Sequence, residues 1–89
     1  MAVESYRVSV TASPTLIARG GRKGDTLIIK NAHATAACSL GGALVTYAGG
    51  FSMLAGDVDQ VPLSPGEELY GVADAGVTVI CHVIQKAGA

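Results

Sequence analysis

Apolar and polar positions alternate in short runs along this chain, and turn-forming residues cut each run off. Tyr6, Val8 and Val10 alternate with Ser5, Arg7, Ser9 and Thr11. A period of two marks a half-buried strand, because successive strand side chains point to opposite faces. Ala12-Ser13-Pro14 ends the run, and Pro14, with no N–H to give to a ladder, suits a turn or an edge. Thr15 to Arg19 and Thr26 to Lys30 predict two further strands, separated by the loop Gly20-Gly21-Arg22-Lys23-Gly24-Asp25. In the second of these, Leu27 and Ile29 point one way and Thr26, Ile28 and Lys30 the other. An isoleucine on that second face hints that this face is covered too. The small residues of Ala36 to Leu40, then Ala43 to Tyr47 and Phe51 to Leu54, read as short strands around two Gly-Gly steps. Ser39 to Gly56 therefore predicts a compact hairpin at the middle of the chain. Val58 to Leu63 and Glu68 to Ala73 follow, divided by Ser64-Pro65-Gly66-Glu67, which has proline and glycine where a β-turn favours them. Asp74-Ala75-Gly76 predicts a short hairpin connection to the longest run, Val77 to Gln85. There Val77, Val79, Cys81 and Val83 share one face, while Thr78, Ile80, His82 and Ile84 share a mixed one.

No stretch carries helical spacing free of glycine and proline. The expected fold is all-β, a small antiparallel β-sandwich or barrel of about eight short strands. Residues 1–89 are read as one domain with a short N-terminal arm over about residues 1–5. Leu16, Leu27, Ile29, Leu44, Leu54, Leu69, Val72, Val79 and Val83 are the expected core.

Composition adds a constraint. A chain of 89 residues buries only about 60–65% of its unfolded surface. Yet 49% of the residues are hydrophobic and 15% charged, with a mean hydropathy of +0.44. Such a chain has more apolar surface than one thin core hides, which predicts self-association or docking on a larger assembly. Six basic residues against seven acidic ones give a net charge of -1, which argues against nucleic acid as a partner. The one local basic cluster is Arg19, Arg22 and Lys23. No apolar run approaches the ~18–20 residues of a membrane span, so no membrane partner is expected. The start, Met1 to Arg7, carries no apolar signal-like region, which makes a reducing cytoplasm and free thiols the default for Cys38 and Cys81. Whether those two cysteines meet is left open by their separation.

Catalytic and metal chemistry find little support. The glycine-rich loop lacks the Gly-Lys-Ser/Thr ending of a phosphate-binding loop, and a strand follows it instead of a helix. Cys81 and His82 are adjacent, so in a strand they face opposite sides and form no nucleophile–base pair. Gly-x-Ser-x-Gly is absent. A metal site from His33, Cys38 and Cys81 lacks metal-ligand spacing. Asp57 and Asp59 share a strand face, where a solvated edge is the simpler reading than a calcium or acid–base pair. The expectation is a protein that is not an enzyme and needs no cofactor.

The run Leu40-Gly41-Gly42, Val45-Thr46, Gly50-Phe51 and Leu54-Ala55-Gly56 is followed by Leu63-Ser64-Pro65-Gly66-Glu67 and Leu69-Tyr70-Gly71-Val72-Ala73. With the earlier Leu27-Ile28-Ile29-Lys30-Asn31, it resembles small β-sandwich structural proteins of tailed bacteriophages. The shared outline is a strand ending in Asn, a Gly-rich turn, a short apolar strand, then Pro-Gly-Glu-x-Leu-Tyr. It covers roughly residues 15–84, and Ala37-Cys38-Ser39 depart from it by being small. The resemblance implies a virion protein, made in the host cytoplasm and placed on the capsid exterior. It would act as a capsid decoration (cement) protein, a homo-oligomer with a trimer favoured, bound to the major capsid protein. The alternative is a head-fibre or tail-associated module that binds a host surface or carbohydrate. For partner contacts the expectation falls on Val3, Tyr6 and Arg7, since termini not tied to a core are free to order on a partner. Arg19, Arg22 and Lys23 come next.

Overall fold

The computed structural model describes residues 3–88. It contains eight strands: β1 (Val3–Val10), β2 (Thr15–Arg19), β3 (Asp25–Asn31), β4 (Cys38–Gly41), β5 (Phe51–Met53), β6 (Val58–Leu63), β7 (Glu68–Ala73) and β8 (Val79–Ala87). They form two four-stranded sheets, ordered β1-β8-β3-β6 and β2-β7-β4-β5. Every pairing is antiparallel. The pairs nest: β4 with β5, β3 with β6, β2 with β7, β1 with β8. The chain thus forms one long hairpin, folded between β4 and β5 and then rolled so that successive arms fall into alternate sheets. This strand order is that of a jelly roll, a two-sheet form of the expected β-sandwich.

The core is the filling between the sheets. Val10, Leu27, Ile29, Val79, Cys81 and Val83 enter it from the first sheet, and Ile17, Leu69, Ala73, Cys38, Leu40 and Met53 from the second. Six of the nine expected core residues are buried: Leu27, Ile29, Leu69, Val72, Val79 and Val83. Leu16, Leu44 and Leu54 are not, at 44%, 93% and 60% exposure. For Leu16 the reason is a register shift in β2 between Leu16 and Ala18. A bulge of this kind inserts an extra residue, so Ile17 and Ala18 are both buried and Leu16 is turned out.

Leu44 is exposed because Ala43 to Tyr47, expected as a strand, is part of a turn-rich loop. Within it Val45 N donates to Gly42 O at 3.0 Å and Gly50 N to Thr46 O at 2.9 Å. The loop lies back on the second sheet. Ser39 Oγ donates to Tyr47 O at 2.6 Å, and Ser39 is only 2% exposed although it points away from the core. Gly50 is needed at the contact, since a Cβ there would stand 2.7 Å from Val45 Cγ2 and 2.8 Å from Ser39 Cβ. The expected central hairpin exists, but its strands are β4 and β5 on either side of this loop.

Three turns share one construction. In Ser64-Pro65-Gly66-Glu67 the Glu67 N–H donates to Ser64 O at 3.0 Å, and Gly66 has φ +76°. With no positive φ at any described non-glycine residue, the turn is type II, which demands glycine at its third position. Leu54 to Asp57 and Asp74 to Val77 repeat the pattern. All three carry the chain from one sheet to the other, so Asp74-Ala75-Gly76 is a crossover rather than the expected hairpin connection.

The expected N-terminal arm is also corrected. From Val3 on the chain is already in β1, with Val3, Glu4 and Ser5 opposite Lys86, Gln85 and Ile84; residues 1 and 2 lie outside the described residues. An edge of the central β8 was open, and these residues fill it.

One buried polar side chain ties the two layers together. Asn31, at the end of β3, has no solvent exposure. Its Nδ2 donates to Ala36 O and Met53 O, each at 3.0 Å, and its Oδ1 accepts from His33 N at 2.9 Å. Its backbone N–H donates to Asp57 O at 3.0 Å and its carbonyl accepts from Gly56 N at 2.9 Å.

Three variants test this packing, read as urea midpoints. Leu27→Ala costs about 2–5 kcal/mol, whereas Leu44→Ala stays within about 0.5 kcal/mol of wild type. Asn31→Ala strips partners from buried backbone groups and costs about 3 kcal/mol; a near-wild-type midpoint would show that Asn31 does not join the sheets.

Candidate interaction surface

The register of the first sheet fixes which side chains share its outer face. Arg7, His82, Lys30 and Val58 form one row across β1, β8, β3 and β6. Ser5, Ile84, Ile28 and Gln60 form the next, and Val3, Lys86, Thr26 and Pro62 the one after. Neighbours in such a row stand about 4.5–5.5 Å apart at Cβ. A shallow groove of about 490 Å³ runs over this face, lined by Arg7, Ile28, Lys30, Val58, His82 and Ile84 among others. Arg7, Lys30 and His82 are exposed. Ile84 is 39% and Val58 57% exposed.

The expected contact residues are divided by the fold. Val3 and Arg7 stand on this outer face, Val3 at 59% exposure. Tyr6 lies on the opposite side of β1, packed against the core. Its hydroxyl donates to Gln85 Oε1 at 2.7 Å and lies 3.2 Å from Ile17 O, so it closes one end of the sandwich. Gln85 Nε2 continues the chain of bonds to Arg19 O at 2.9 Å and to the Asp25 carboxylate. Burial, and next the charges of Glu4 and Asp25, push the Tyr6 hydroxyl above its ordinary value. Arg19 is at the end of β2, directly across from Glu68, and its guanidinium is paired with that carboxylate. The pair holds Glu68 below the usual carboxylate range. Arg22 and Lys23 stand exposed in the β2–β3 loop, whose turn is closed by Gly24 N donating to Gly21 O at 3.0 Å.

Lys30, His82, Ile28 and Ile84 were missed as contact candidates. Their signal is the aliphatic residues on an otherwise polar strand face, present in both Thr26 to Lys30 and Thr78 to Ile84.

Four of the residues considered for chemistry, Cys38, Cys81, His33 and Asp57, have neighbours inside the domain. Cys38 and Cys81 are free, buried and face each other from opposite sheets. Asn31 stands beside Cys81 on the neighbouring strand, and its Nδ2 is 4.0 Å from Cys38 Sγ. The neighbouring Cys38 thiol, together with burial, pushes the Cys81 thiol up. His33 Nδ1 accepts from Thr35 N at 3.0 Å and Ala36 N at 2.8 Å, which occupies the nitrogen inside its own loop. Asp57 accepts from Leu54 N at 3.0 Å and closes a turn. Among the described residues, no group of three or more His, Cys, Asp or Glu side chains is placed to hold a metal ion.

No protein-family model matches the chain, and no curated protein matches it in sequence.

The Tyr6 contact gives a pH signature. Its folded pKa is raised above the unfolded 10.0, so its contribution is complete below about pH 10 and is lost as pH climbs through the folded value. Tyr6→Phe costs about 0.5–1.5 kcal/mol at neutral pH, and the gap between wild type and variant narrows in alkaline urea titrations. A gap that widens with pH would refute the assignment.

Proposed function

We propose that the protein is a virion structural protein of a tailed bacteriophage. In this reading it is a capsid decoration protein that docks on the major capsid protein at the outside of the head. It acts as a homo-oligomer, with a trimer favoured, and it has no catalytic role. The observation that carries this reading is the apolar surface left in water. Leu44 is 93% exposed, Phe51 66%, Leu54 60%, Val3 59% and Val58 57%. Covering one such side chain fully is worth about 1.5–3 kcal/mol. A small domain that leaves this many uncovered is built to be covered by others.

The resemblance in sequence adds to this. Its marks are residues with structural jobs: Asn31 joins the sheets, Gly50 admits the β4–β5 loop, and Pro65-Gly66 makes a type II turn. They are the residues that a shared sandwich would require. The jelly roll by itself carries less, because capsid, lectin and enzyme domains all use it.

The mechanism is linkage. A protein that binds only the assembled lattice stabilises that lattice by its own free energy of docking. In a cyclic trimer each interface joins two different patches and the ring closes on itself. The carbohydrate-binding alternative draws on exposed aromatics. Phe51 and Tyr47 are available for it, but Tyr6 and Tyr70 are half-buried and hydrogen-bonded within the domain.

The test uses particles of the phage that encodes the chain, prepared with and without it. The protein is expected on the particles, as a trimer in solution by light scattering, and particles lacking it should lose their genome at a lower temperature. Equal heat resistance of the two preparations would overturn the proposal.

A further inference from the structure

The first sheet sorts its charges by face. Along β1, β8, β3 and β6, the basic side chains Arg7, Lys30, His82 and Lys86 all belong to the outward register. The carboxylates of the same strands, Glu4, Asp25 and Asp59, all belong to the inward one, at its ends and edge. Arg7, His82 and Lys30 stand directly side by side on three adjacent strands. Arg7 and Lys30 flank His82 in this row, and neither cation has an ion-pair partner among the described residues. No carboxylate on this face pairs with them, and the one ion pair among the described residues, Arg19 with Glu68, is in the other sheet. Beside the basic row stand Ile84 and Ile28, with Val58 at its end.

We propose that the outer face of the β1-β8-β3-β6 sheet docks a protein surface that presents carboxylates around an apolar side chain. Arg7, Lys30 and His82 face the carboxylates, and Ile28 and Ile84 receive the apolar group. Incoming carboxylates supply the counter-charge that Arg7 and Lys30 lack on this face, so the face gains on binding what it lacks when free. A charged rim around an apolar centre is the ordinary anatomy of a protein–protein contact. A second copy docked face to face is disfavoured, because it would set one basic row against another. Nucleic acid is disfavoured as well: phosphate backbones are held by dense positive charge, and here the net charge is -1 and aliphatic side chains occupy the middle of the face. The docking chemistry is the same whether or not the partner is a coat protein.

The experiment is amide-resolved NMR on the full, isotope-labelled chain, titrated with a capped peptide Asp-Glu-Leu-Phe-Glu-Asp. Shifts are expected at Ile28, Lys30, His82 and Ile84, not in the loop of Arg22 and Lys23. They should weaken with added salt. A peptide with Ser-Gly in place of Leu-Phe should bind about tenfold more weakly, equivalent to about 1.4 kcal/mol. Arg7→Glu with Lys30→Glu should lower affinity by about tenfold or more, whereas Arg22→Glu with Lys23→Glu leaves it within about twofold. Four results overturn the proposal: no shift, shifts confined to the Arg22 loop, equal binding of the Ser-Gly peptide, or tighter binding of a short DNA duplex at the same salt. The wild-type shift map stands even if the double variant fails to fold. Failure here, with heat-protected particles above, would leave the decoration role intact and move its docking face elsewhere.

Discussion

A carboxamide sealed away from water has to spend its donors and acceptor on the protein, and Asn31 does so between the two sheets. An unmet buried group costs about 1–3 kcal/mol, so the position of Asn31 dictates where its partners must be. Those partners are the loop at His33 and Ala36 and the last residue of β5, Met53. Its backbone holds the turn at Gly56 and Asp57 as well. β5 is only three residues long, and a strand that short has little ladder of its own. The amide of Asn31 and the fully buried Met53 side chain anchor it at both its backbone and its apolar face. Among the described residues no buried side-chain nitrogen or oxygen is left without a partner.

The alternation of apolar and polar residues made the strands legible. β1, β2, β3, β6 and β7 lie where that alternation puts them, and the Pro65-Gly66 turn has the type its residues demand. Sheet membership was not legible. The turns at Gly56, Gly66 and Gly76 are type II, whose twist does not match that of a tight hairpin, and they deliver the chain to the opposite sheet. Turn chemistry reverses the chain without saying which strand it will pair with. Ala43 to Tyr47 shows the opposite failure: its residues suit a strand, yet it is held as a loop by contacts to Ser39 and among its own turns. Propensity yields there to tertiary packing. Leu16 was misread because a bulge shifts the register without any local mark in the sequence.

The candidate surface was half legible for the same reason. Each strand showed its own outer face, including the isoleucines that stand out on it. Arg7, Lys30 and His82 become neighbours only when β1, β8 and β3 are laid side by side, and that order is a property of the rolled chain. The N-terminal residues failed as a free arm because β8 offers them a ladder. Tyr6 is spent on sealing the sandwich, and Arg19 on Glu68. What these residues do inside the domain is visible only once their partners are.

β8 has a consequence for how the chain is made. It lies between β1 and β3, so one strand near the C-terminal side joins the first strand to the rest of its sheet. Until β8 has left the ribosome, β1 has no partner and the sheet amounts to the single pair of β3 and β6. Of the early strands β1 waits longest for a partner during synthesis, and a product that stops short of β8 leaves its first sheet divided and is not a smaller version of the domain. Synthesis therefore acts as its own checkpoint: only a chain translated through β8 can close.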